Sequence, residues 1–315
     1  MLLLGGGLRL AKQNIIHLFT HFVKIKAPTW TKPQKPARFR AEHFQLNPNP
    51  EGKMKIPYIG ITDVPSGKEA RYLLKVLREE KTVGNFPHQL MVGAMMSYKT
   101  LHGLPTKWAR IFPAYQDLAD IFVDDPLAFN TLHYADYEGI DVAASLLDAI
   151  HWGGKNLRAL QLDMVWPKAS AIAEVRLQHP KLKYILQINK KSLDEIKNDM
   201  NKLVGELHRY QNTFDYVLFD CSMGEGKPMN VSDMYHFVST ARRYRPELGI
   251  AIAGGLGPNT VSILAPIIGD FPNTSWDAQG QIHPNNDPNI PISSRLAEEY
   301  LRKSALLARR YHRKR

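Results

Sequence analysis

From Met54 onward, short apolar runs rich in β-branched residues alternate with stretches whose apolar positions recur at helical period. The runs Ile56–Val64, Leu90–Met96, Phe129–Tyr134, Leu157–Val165, Tyr184–Ile188, Tyr216–Cys221, Gly249–Ala253 and Thr274–Asp277 predict eight strands. Between them the helical period predicts helices over Gly67–Glu80, Asp141–His151, Ala169–Leu177, Leu193–Tyr210, Ser232–Tyr244, Asn259–Ile268 and Ser293–Arg309. Ser66 and Ser192 stand where N-caps belong, and Pro258 with Asn259 marks another helix start. Between Leu101 and Pro126 the period blurs, which predicts an insertion after the second strand. Strands and helices alternating over roughly 255 residues predict a (β/α)8 TIM barrel. A doubly wound open sheet is the alternative that the same alternation permits.

Charge divides the chain further. The formal net charge is +11, but residues 1–53 carry nine Lys or Arg against Glu42 and Glu51, a net of +7. The last seven residues contribute five more basic groups, so the body between the ends is close to neutral. The expected organisation is a basic N-terminal extension over 1–53, a barrel over 54–308 and a basic tail over 309–315. Residues 1–41 hold no acidic residue, and Pro28, Pro33 and Pro36 punctuate them. They read either as an organelle-targeting presequence or as sequence upstream of a start at Met54. The expected compartment is accordingly the cytoplasm, or an organelle matrix if the presequence is genuine.

Composition excludes several classes. Cys221 is the sole cysteine, so neither an intrachain disulfide nor a thiolate metal site can form, and the histidines show no metal-ligand spacing. Neither metal nor cofactor is expected. No apolar run reaches the length of a membrane span. The basic tail lacks the interleaved aromatics of a stacking platform, so a solvated tail is expected rather than a nucleic-acid interface.

In such a barrel the chemistry lies at the carboxyl ends of the strands. Asp63, Asp136, Asp163, Asp220 and Asp277 occupy those positions, where aspartate also serves as a helix or turn cap. Strand alternation puts Gln161 with Asp163, Tyr216 and Leu218 with Asp220, and Ile59 and Ile61 with Asp63. Cys221 then faces the helices as a small buried hydrophobe. After the seventh strand, residues 253–260 read Ala-Gly-Gly-Leu-Gly-Pro-Asn-Thr. Gly254, Gly255 and Leu256 can bring backbone amides to an anion beside a helix N-terminus. Ala278, Gln279 and Gly280 after the eighth strand complete the place where barrels hold a substrate phosphate. A second Gly-rich stretch at 223–228 carries Lys227, which could meet an anion.

These landmarks resemble, in order along residues 54–290, those of the phosphoribosylanthranilate isomerase family. Tyr-Ile-Gly-Ile-Thr at 58–62 is similar to its opening strand motif, and Gln-Leu-Asp at 161–163 to its Gln-Leu-His. The segment 218–227 resembles its sixth strand and Gly-rich loop, 253–261 its phosphate loop, and Trp-Asp-Ala-Gln-Gly at 276–280 its eighth-strand loop. The resemblance implies an Amadori rearrangement of a small phosphorylated aminosugar in tryptophan biosynthesis. It implies Asp220 as the general acid, with Gln161, Asp163, Asp277 and Lys227 near the substrate and a cation after strand two for its carboxylate. Lys99 fits that last role, with Arg110 as a second candidate. The family's base is a first-strand cysteine, and Ile59 stands there. Either Asp63 supplies the base, or the barrel keeps its phosphate site and has lost the isomerase.

Overall fold

The computed structural model describes residues 55–220 and 229–312, excepting the side chain of Arg110. Cys221, Lys227, the stretch 223–228 and the extension 1–53 lie outside the described residues. Eight parallel strands close into one barrel in the order β1 to β8. They are β1 (Tyr58–Ile61), β2 (Gln89–Ser97), β3 (Ala128–Ala135), β4 (Ala159–Asp163), β5 (Lys183–Asn189), β6 (Tyr216–Asp220), β7 (Gly249–Ala253) and β8 (Thr274–Ala278). Closure is made by β1 pairing with β8, Gly60 lying opposite Asp277. The open-sheet alternative is thereby excluded, and the fold is a (β/α)8 barrel.

The helices are α1 (Gly67–Val83), α2 (Tyr98–Leu101), α3 (Leu118–Ile121), α4 (Val142–Gly153), α5 (Ala169–Gln178), α6 (Lys190–Glu195), α7 (Met200–Arg209), α8 (Val231–Tyr244), α9 (Ala265–Asp270) and α10 (Ser294–His312). The insertion after β2 consists of α2, two 3-10 turns and α3. Helix α1 begins as its sequence predicts, with Ser66 Oγ accepting from Glu69 N at 3.2 Å.

Two helices differ from expectation. The single helix predicted over Leu193–Tyr210 is broken at Lys197 and Asn198, both at positive φ. Asn189, not Ser192, caps α6, and Asp199 caps α7. The helix predicted from Asn259 instead starts as a 3-10 turn at Val261–Leu264 and becomes α9 only at Ala265. Pro266 explains the break, because its ring would clash with the carbonyl four residues earlier in a continuous α-helix.

Strand alternation separates two cores. Tyr58, Met91, Phe129, Ala159, Ile185, Tyr216, Leu218, Ala251 and Ala253 pack together inside the barrel. The Tyr58, Phe129 and Tyr216 rings, 5.4–5.7 Å apart, fill its amino-terminal end. Ile59 and Ile61 belong instead to the layer between sheet and helices, with Leu73, Leu74 and Leu77 of α1. Below the barrel, buried Asp215 accepts from Lys55 at 2.7 Å, Arg176 at 2.8 Å and the amide of Tyr184 at 3.2 Å. Burial raises the Asp215 pKa, but the cationic donors outweigh it and hold the value at about 2.

The basic tail departs from the expectation of a solvated segment at its first residue. Arg309 lies within α10 and donates to Glu80 Oε2 at 2.6 Å, tying α10 to α1. Among the described residues no helix is long and apolar enough to cross a membrane.

Candidate active site at the barrel mouth

Whereas Tyr58, Phe129 and Tyr216 fill the amino end, the barrel interior towards the carboxyl ends of the strands carries the polar side chains His133, Gln161, Gln187, Asp220 and Asp277. A pocket there is lined by His133, Gln161, Gln187, Leu218, Asp220, Ala253, Gly254, Gly255, Leu256, Asp277, Gln279 and Gly280. Its empty volume, part of it open to solvent, is ≈ 380 Å³.

Asp277 is 5% exposed and accepts from Thr62 Oγ1 at 2.9 and 3.2 Å. Across the β1–β8 seam, a Cβ built on Gly60 would lie 2.5 Å from Asp277 Oδ1. The glycine in β1 is therefore what gives the carboxyl its room. Burial pushes the Asp277 pKa up to about 7; Thr62 and His133 pull it down, while the charges of Asp220 and Asp63 add to the rise. A carboxyl that exchanges its proton near neutrality is suited to acid–base work.

From Asp220 a chain of hydrogen bonds crosses the mouth. Gln187 Nε2 donates to Asp220 Oδ2 at 3.3 Å, and Gln161 Nε2 donates to Gln187 Oε1 at 2.8 Å. Gln161 Nε2 also lies 3.3 Å from His133 Nδ1. An ionised Asp220 only accepts, which orients both amides and leaves the His133 proton on Nε2. That atom is 3.8 Å from Asp163 Oδ2. Burial opposes charge on His133, but the Asp163 carboxylate outweighs it and raises the pKa. Burial likewise raises the pKa of Asp163. His133 and hydrogen bonds from Asn189 (2.8 Å) and Tyr137 (2.7 Å) reverse that and lower it.

The anion cradle stands on backbone conformation. Gly254 at φ 117° and Gly255 at φ 64° occupy a region that other residues enter at a cost. Among the described residues, the amides of Gly254, Gly255 and Leu256 have no backbone acceptor, although all three residues are buried. Successive unpartnered amides make an anion-binding concavity. The α-helical N-terminus expected beside them is replaced by the 3-10 turn.

Eight residues singled out in the sequence meet in this pocket: Gln161, Asp220, Gly254, Gly255, Leu256, Asp277, Gln279 and Gly280. Asp163 stands at its edge through His133. Others lie elsewhere. Ala278 turns its side chain to the helix layer. Lys99 lies on α2 with Nζ 3.0 Å from Glu138 Oε1, outside the pocket lining. Asp136 accepts from the amides of Glu138 and Gly139 at 2.9 Å, the turn-capping role. Asp63 does not share a face with Ile59: it lies beyond β1 at φ 69° and accepts from Gln279 Nε2 at 2.7 Å.

His133 and Gln187 are pocket residues that the reading of the sequence missed. Both were visible in principle, since each continues an inward alternation, Phe129–Thr131–His133 and Ile185–Gln187. Among the described residues no group of three His, Cys, Asp or Glu side chains could hold a metal ion.

No family model and no curated protein matches this chain. Among solved structures, active domain 2 of a chitinase from Pyrococcus furiosus, studied as catalytic-site mutants, aligns with a TM-score of 0.50 at 12% identity. The alignment covers 82% of this chain and 99% of that one. The catalytic domain of the hyperthermophilic chitinase from the same organism aligns with a TM-score of 0.48 at 11% identity, covering 82% and 99%. The carboxyl transferase domain of Rhizobium etli pyruvate carboxylase aligns with a TM-score of 0.42 at 12% identity, covering 82% and 48%. At such identities the likeness concerns the barrel fold alone.

Proposed function

We propose that this barrel binds a small phosphorylated sugar derivative at its carboxyl-terminal mouth and isomerises it by proton transfer, in the manner of phosphoribosylanthranilate isomerase. The observation that carries the reading is the meeting of two carboxyls, Asp220 and Asp277, around one pocket with the amides of Gly254, Gly255 and Leu256, which have no backbone acceptor among the described residues. The amides take the phosphate, and the carboxyls take the proton transfers. Asp277, with its pKa near 7, gives its proton to the ring oxygen as the C1–O bond breaks. Asp220, turned towards a donating amide, removes the proton from C2, and the enolamine formed rearranges to the ketose.

This assignment exchanges the role that the family resemblance gives Asp220. It also removes the difficulty of Ile59. That side chain packs in the helix layer, so the base is sought on the inward face, where Asp220 is, and Asp63 is not needed for it.

Turnover of phosphoribosylanthranilate by the purified chain, followed by loss of its fluorescence, tests the proposal. Turnover abolished by Asp220→Asn and by Asp277→Asn is the expected result. The position of Lys99, paired with Glu138 and outside the pocket lining, favours a second reading, a phosphosugar-binding barrel without isomerase activity. Binding of ribose 5-phosphate by a folded chain that turns nothing over would select it.

A further inference from the structure

The segment after β8 leaves the barrel, passes through 3-10 turns at Gly280–Ile282 and Pro284–Asn286, and returns to α10. Ser293 N closes the excursion by donating to Ile282 O at 2.9 Å. Within it lies His283, 2% exposed, with both ring nitrogens facing acceptors. Nδ1 is 2.6 Å from Ile290 O and Nε2 is 3.2 Å from Asp63 Oδ2. A neutral imidazole has one N–H and can satisfy only one of these; the imidazolium satisfies both. The geometry therefore selects the cation, ion-paired with Asp63. Burial opposes the charge, but Asp63 and the Ile290 carbonyl, with Asp287 nearby, raise the His283 pKa above its ordinary value.

The same oxygen of Asp63 accepts from Gln279 Nε2. Because a carboxylate offers no proton, the Gln279 amide must turn its nitrogen to Asp63, and Oε1 is the end left for a ligand. Gln279 lines the pocket beside Asp277 and Gly280. A carbonyl oxygen accepts from a hydroxyl and repels a phosphate oxygen.

We propose that Asp63 and His283 form a buried ion pair that fixes Gln279 as a hydrogen-bond acceptor in the pocket, so that Gln279 selects a hydroxyl of the ligand and takes no part in holding its phosphate. Asp63 and His283 are positioning residues, and Gln279 is the residue that touches the ligand. The identity of that ligand rests on the phosphosugar reading above; the ion pair itself does not. The assignment replaces both the catalytic role expected of Asp63 and the phosphate contact expected of Gln279.

The test has two arms on the full chain. A nitrogen-15 NMR titration of the His283 ring is expected to give a midpoint above 6.5 in the wild type and a lower one in Asp63→Asn. Calorimetry with ribose 5-phosphate and with inorganic phosphate is expected to show the sugar phosphate weakened about tenfold in Asp63→Asn and Gln279→Leu, the loss of about one hydrogen bond. Inorganic phosphate affinity should stay unchanged in both variants. A wild-type midpoint at or below 6.5, or equal losses for the two ligands, overturns the proposal. If His283 titrates high and the wild type binds neither ligand, the role of Gln279 falls together with the phosphosugar reading. If both ligands bind and His283 titrates low, only the ion-pair inference falls.

Discussion

Asp277→Asn separates the cost of a buried carboxylate from everything else at the barrel mouth. The side chain is 5% exposed, and its pKa stands at about 7 against an ordinary 3.8. Folding thus favours the protonated form. Between those two values the folded chain binds more protons than the unfolded one, and stability falls as pH rises. At roughly 1.4 kcal/mol per pH unit, the displacement from 3.8 to about 7 amounts to on the order of 4 kcal/mol. That stability is fully present below pH 3.8 and is lost by the time pH passes about 7. Asparagine has nearly the same shape, still accepts from Thr62, and never ionises. Relative to the wild type, the variant should gain about 1.5 kcal/mol at pH 5 and about 4 kcal/mol at pH 8. Urea unfolding followed by tryptophan fluorescence at a series of pH values measures this. A difference between variant and wild type that stays flat from pH 5 to 8 would refute the reasoning, since it would mean that burial does not displace the Asp277 proton.

Further outcomes follow from other parts of the fold. If Asp277 is the acid of the proposed reaction, turnover should fall as pH rises through about 7, whereas a base at that position would give a rise; a pH–rate profile distinguishes them. Gly60→Ala places a Cβ 2.5 Å from Asp277 Oδ1 and should cost about 1–3 kcal/mol by urea unfolding, with turnover lost as the carboxyl is displaced. Gly255→Ala, at φ 64°, should destabilise by about 1 kcal/mol and weaken inorganic phosphate binding in calorimetry. Unchanged phosphate affinity would remove this loop from the site. Asp215→Asn at the opposite end leaves three cations around a neutral group and should cost about 2 kcal/mol at pH 7. Because the Asp215 pKa is depressed to about 2, its contribution is present above 3.8 and lost as pH falls through about 2, so the variant should lack that part of acid unfolding.

Much of the barrel is local information. Each strand is a short apolar run between turn residues, and the helices α1, α7, α8 and α10 each have one apolar stripe, so the alternation of elements appears without any knowledge of partners. The same period of two brings Gln161, Asp163 and Asp220 to one side of their strands, and the glycines at 254 and 255 announce positive φ by having no side chain. Closure was not local. The β1–β8 seam joins residues more than two hundred positions apart, and nothing in either strand distinguishes a closed barrel from an open sheet. The parity of β1 was equally silent, because Tyr58–Ile61 is apolar throughout and buried on both faces. Only packing decided it: Gly60 must face the Asp277 carboxyl, which sends Ile59 to the helices and takes the first-strand base out of the question. The pairing of Asp63 with His283 across 220 positions has no periodic trace either. The chain's own pattern determined which residues form strands and which ends of those strands are polar, since both are written at spacings of two to four residues. Tertiary structure alone decided which polar groups meet, which of them keep a proton near neutral pH and which are spent on holding a loop, because charge and desolvation depend on neighbours that only the closed barrel brings together.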